Sequence, residues 1–123
     1  VPGENKKSSL KDMKDLIKDL SLKSKFEVLQ KPPYYAPFIL NKDEHILKVF
    51  KNSYQEILKK DPIFDYQRMI TDANVFTGVA GIPTLIFGPN GGNLHSCNEY
   101  VEIDSLIKAT KIYVLTVLRY LSK

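Results

Sequence analysis

Leu10, Met13, Leu16, Ile17 and Leu20 recur at three- and four-residue steps, the spacing that lines up one side of a helix. Ser9 with Asp12 three residues later predicts where that helix opens. From Lys25 to Lys31 the period changes: Phe26 and Val28 fall on one side and Glu27 on the other, which predicts a short strand stopped by Pro32-Pro33. Prolines hold the residues before them out of the α region, so Pro32 to Pro37 is expected to run extended and to cross between two lobes. The boundary is placed near residues 33 to 42. Asn41 with Glu44 predicts a second helix start. Ile46, Val49, Phe50, Ser53, Tyr54 and Ile57 continue it as a stripe that ends before Asp61-Pro62.

Ile63 to Ile70 carries no readable period. Thr71-Asp72 is expected to cap a short helix bearing Val75, Phe76 and Val79, closed by Gly81. Thr84 to Phe87 is a continuous apolar run rather than an alternating one, which predicts a strand covered on both faces in a parallel sheet. Gly88-Pro89 ends it, and a loop runs from Asn90 to Asn98. Asp104 is then expected to cap a last helix on which Leu106, Ile107, Thr110, Val114, Val117, Leu118 and Leu121 line one broad face. Helix, strand, loop and helix in this order predict an α/β unit.

Composition narrows the class. With 123 residues, 43% hydrophobic and 26% charged, the chain has ordinary globular make-up and length for one modest core, which excludes collagen-like and disordered classes. The net charge of +4 is spread through helical segments, and the aromatic residues sit at apolar-periodic positions, so no nucleic-acid partner is expected. Cys97 stands alone and cannot close an internal disulfide, which fits a reducing, cytoplasmic setting. No apolar stretch approaches a membrane span and the first ten residues lack a signal peptide's apolar core, so a soluble protein without membrane contact is expected.

Chemistry concentrates after Phe87. Ligands of open α/β sheets bind beyond the carboxyl ends of strands, and the loop 90–98 follows such an end. Gly88, Gly91 and Gly92 can make a tight turn, or let backbone N–H groups approach an anion such as a carboxylate. His95 reads either as a neutral histidine bonded at a strand end or as a metal ligand or catalytic group, with Glu99 as its partner or as a surface acid. A zinc site needs about three or four ligands. Besides His95 the chain offers only the distant His45, scattered carboxylates and Cys97.

The ordered string Thr71-Asp72-Ala73, Gly81-Ile82-Pro83-Thr84, Phe87-Gly88-Pro89, Gly91-Gly92, His95-Ser96 and Asn98-Glu99-Tyr100-Val101 resembles the C-terminal signature of one family. It is the zinc-dependent metallopeptidase and amidohydrolase family of acetylornithine deacetylase, succinyl-diaminopimelate desuccinylase and carboxypeptidases. The start VPGE with its helix and strand resembles the end of that family's inserted α+β lid, or dimerisation, domain. NKDEHILKVFKNSYQEI resembles the re-entry into the catalytic domain. The resemblance implies a lid remnant over residues 1–33 and the C-terminal part of a zinc-exopeptidase-like catalytic domain over 34–123.

It further implies that His95 is the last protein ligand of a two-zinc centre, with cobalt or another divalent metal as substitutes. The metals activate a water for attack on an amide carbonyl, and a glutamate serves as general base. Gly91, Gly92 and Asn93 are implied to receive the carboxylate end of an N-acyl amino acid or peptide. Asp72 falls in the family's Thr-Asp motif near the pocket, where helix capping explains it equally well, and Arg68 reads either as a guanidinium forking onto a carboxylate or as a surface charge. The family's His-x-Asp motif, bridging aspartate and paired glutamates have no counterpart in the sequence. The chain is therefore expected to be a C-terminal fragment, inactive alone, that self-associates or joins the missing N-terminal half. The alternative is a non-catalytic structural module that self-associates through the apolar run 84–87.

Overall fold

The computed structural model describes residues 3–66 and 69–122. The elements in chain order are helices α1 (Lys6–Asp19), α2 (His45–Leu58) and α3 (Ala73–Phe76), strands β1 (Gly91–Gly92) and β2 (Tyr100–Val101), and helix α4 (Ile103–Leu121). The chain divides into two compact units, Val1–Ile39 with Arg68–Ile82, and Leu40–Gln67 with Pro83–Lys123.

In the first unit α1 begins one turn earlier than Ser9. Asn5 caps it, accepting from the amides of Lys7 and Ser8, while the Ser8 hydroxyl accepts from the Asn5 amide to complete a reciprocal box. The predicted cap was displaced because Asn5 and Ser8 offer the same chemistry a turn upstream. Residues 25–31 form no strand. A strand exists only where a neighbour completes its hydrogen bonds, and none of the described residues pairs with this segment. The run 26–29 instead lies along α1, where Leu10 and Ile17 face Phe26, Val28 and Leu29 across a groove. The Pro32-Pro33 peptide is cis. In α3, Asp72 occupies the N-cap position without a side-chain cap bond; the Asn74 carboxamide accepts from the Thr71 amide and donates to Ala36 O.

The core of the second unit is the contact between α2 and α4. Val49, Phe50 and Ser53 of α2 are buried, as the sequence stripe predicts. Asn41 does not cap the helix in the predicted way: its carboxamide accepts from Asp43, and the N-cap residue Glu44 makes no side-chain cap bond. On α4, N-capped by Glu102 rather than Asp104, the buried residues are Ala109, Ile112 and Thr116. These lie on the side opposite the predicted apolar face. Ile112 is 0% exposed, whereas Val114 and Leu121 are 53% and 74% exposed. The packed side also carries polar ties. Ser53 is fully buried and donates to Val49 O, Arg119 donates to Ser53 Oγ at 3.3 Å, and Arg119 pairs with Glu56.

Thr84 to Phe87 forms no strand either. The segment ends in an aromatic cluster, with the Phe87 ring 4.9 Å from Phe50, 5.5 Å from Tyr113 and 6.0 Å from Tyr54, and with the Tyr113 hydroxyl donating to Phe87 O. A continuous apolar run marks a chain meant to be covered on both faces, but the ladder that would make it a strand needs neighbours that the described residues do not supply. The described chain is thus largely helical, with one two-stranded antiparallel ladder.

Candidate functional site

The predicted loop is a hairpin. β1 and β2 pair antiparallel, Gly91 opposite Val101 and Gly92 opposite Tyr100, so the turn 93–99 projects from a short ladder. The base of the hairpin is fastened to the first turn of α4. The Glu102 amide donates to Asn90 O at 2.9 Å, the Asn90 amide donates to Ser105 Oγ at 2.9 Å, and that hydroxyl donates to Glu102 O at 2.7 Å. Sequence reasoning missed Ser105. A serine in the opening turn of a helix reads as an exposed polar residue, and nothing local marks a bond to a residue fifteen positions back.

The glycines have a structural reason that does not involve a ligand. A Cβ on Gly91 would collide with the carbonyl oxygen of Tyr100, and one on Gly92 would sit 2.8 Å from Cε1 and 2.9 Å from the hydroxyl of the Tyr100 ring. Both positions are small because β2 lies against them. Gly88, by contrast, has open space where a Cβ would go.

Within the turn the chain enters the left-handed region three times, at Asn93 (φ 57°), His95 (φ 60°) and Asn98 (φ 64°). Asparagine and histidine are among the side chains that tolerate it. Ser96 is tied to Asn93 O through its amide at 3.0 Å and its hydroxyl at 2.9 Å, and the Asn93 carboxamide donates to Asn98 O at 3.2 Å. The His95 amide donates to Glu99 Oε2 at 3.3 Å. His95, Cys97 and Glu99 are all exposed. Glu99 is thus an exposed acid whose carboxylate accepts from the histidine backbone amide.

The other candidate residues lie elsewhere. Asp72, exposed at the start of α3, belongs to the first unit, whereas Gly91, Gly92, Asn93 and His95 belong to the second. Arg68 falls outside the described residues. His45 stacks at 5.2 Å against Tyr120, an aromatic contact between α2 and α4. Among the described residues no group of three or more His, Cys, Asp and Glu side chains is placed to hold a metal ion. The residues at His95 do not by themselves fit a zinc centre: one imidazole is present, and the Glu99 carboxylate is engaged by a backbone amide. No helix of the described residues is long and apolar enough to cross a membrane.

Three comparisons bear on this arrangement. The model of one protein family, described as Peptidase family M20/M25/M40, matches residues 7–119. Among curated proteins, the N-formyl-4-amino-5-aminomethyl-2-methylpyrimidine deformylase of Bacillus subtilis (strain 168) is 36% identical over 72 residues, which is 58% of this chain and 17% of that enzyme. No solved structure matches the chain.

Proposed function

The chain belongs to peptidase family M20/M25/M40, and from that membership we propose that it is part of a metal-dependent hydrolase that splits amide bonds of N-acyl amino acids or short peptides. The match over residues 7–119, which contains His95 and its hairpin, carries this reading. The similarity to a deformylase agrees with it, since an N-formyl group is held by an amide bond. His95 supplies one metal ligand, and the other ligands and the general base come from outside the residues described. The metal, zinc by family, would supply an activated water when bound. The chain's own contribution is positional: the ladder Gly91–Gly92 with Tyr100–Val101 and the Ser105 clamp hold the turn that carries the imidazole. Backbone at Gly91, Gly92 and Asn93 is proposed to face the carboxylate end of the substrate.

The matched part accounts for 17% of the deformylase, so most of that enzyme's length has no counterpart in the alignment. We accordingly propose that the exposed face of α4 seats against further parts of such an enzyme. The purified chain is expected to release no amino acid from N-acetylated substrates in the presence of zinc. Release by the chain alone would overturn the proposed incompleteness. Expressed in frame with sequence carrying His-x-Asp and Glu-Glu motifs, it is expected to become active. His95→Ala should then lower the rate by more than the roughly 10–100-fold typical of losing a ligand's supporting partner. Full activity of that variant would overturn the role of His95.

A further inference from the structure

A histidine in the left-handed region is held there against the crowding of its Cβ by the following carbonyl oxygen, so something nearby must favour that conformation. The bonds among Asn93, Ser96 and Asn98 close the turn around His95 without engaging its own backbone N–H. That N–H donates to Glu99 Oε2. Glu99 in turn is rooted immediately before Tyr100, whose pairing with Gly92 anchors it to the ladder. The carboxylate therefore ties the left-handed apex of the turn to its most regular part. The backbone angle at His95 decides the direction of its Cα–Cβ bond, and with it where the imidazole points.

We propose that Glu99 is a positioning residue for His95, acting by accepting the His95 amide proton rather than by touching a metal or a substrate. The inference deepens the reading of His95 as a ligand and rests on it. Three residues separate the histidine from the glutamate, and across them the glutamate side chain folds back onto the histidine amide.

The test reads the backbone without any metal, so its failure is distinguishable from failure of the His95→Ala activity test. In isotope-labelled chain, amide exchange and the Cα and Cβ chemical shifts of His95 are compared among wild type, Glu99→Ala and Glu99→Gln. The amides of Gly91, Gly92, Tyr100 and Val101 serve as internal controls. Glu99→Ala is expected to speed exchange of the His95 amide about two- to tenfold, the range that one net hydrogen bond corresponds to. The left-handed shift signature of His95 should weaken while the control amides stay unchanged. Glu99→Gln should restore both, because its carboxamide oxygen can accept the same proton. Unchanged His95 shifts in Glu99→Ala would overturn the proposal. So would a glutamine variant that behaves like alanine, or a loss of protection spread equally over the ladder, which would mark Glu99 as a general support of the hairpin.

Discussion

Gly91 and Gly88 are alike in the sequence and opposite in the structure. A methyl group at Gly91 meets the Tyr100 carbonyl, whereas one at Gly88 meets nothing within 4 Å. Gly91→Ala is therefore expected to lower unfolding stability by about 1–3 kcal/mol, the usual cost of overpacking. Gly88→Ala is expected to be neutral or to stabilise by up to about 1 kcal/mol through the unfolded chain. Urea midpoints of the two variants check this, and equal losses would contradict the role assigned to Tyr100. At this scale the sequence located the candidate histidine through the ordered motif around it. It did not reveal why Gly91 and Gly92 are glycines, because the side chain that excludes a Cβ stands on another strand. Nor did it reveal the left-handed backbone at His95, whose amide donates to Glu99 within a turn closed by the Gly92–Tyr100 pair.

The helices show where periodicity suffices and where it does not. On α2 the apolar stripe and the buried face coincide, because only one side of that helix is apolar enough to choose. On α4 there are two candidate faces. The broad one, Leu106 to Leu121, is exposed, and the narrower one with Ile112 packs on α2. A helix apolar on both sides belongs between two layers, and the described residues provide one of them. Ile112→Ala is expected to cost about 2–5 kcal/mol in chemical unfolding. Leu121→Ala, at an open position, should stay within about 0.5 kcal/mol in solution dilute enough to keep the chain monomeric. A large loss from Leu121→Ala would mean that the outer face is covered in solution. The two predicted strands failed for a related reason. Apolar pattern reports that a segment is to be buried, but ladder bonds need a second segment, and 25–31 and 84–87 lack one among the described residues.

For the whole chain the decisive quantity is surface. On α4, Val114, Val117, Leu118 and Leu121 are all more than half exposed. Exposed apolar surface of this kind seeks a partner. The chain is expected to bind a hydrophobic dye strongly and to scatter light above its monomer mass at high concentration. Val114→Lys with Leu118→Glu should reduce both. A strictly monomeric chain that binds no dye would show the surface to be covered in a way the structure lacks. Local spacing in the sequence was enough to mark the helical segments, and an ordered motif was enough to mark the family, because neither needs a partner from elsewhere in the fold. Which face of α4 is inside and whether an apolar run becomes a strand were decided by tertiary structure alone, because each depends on a partner segment far along the chain.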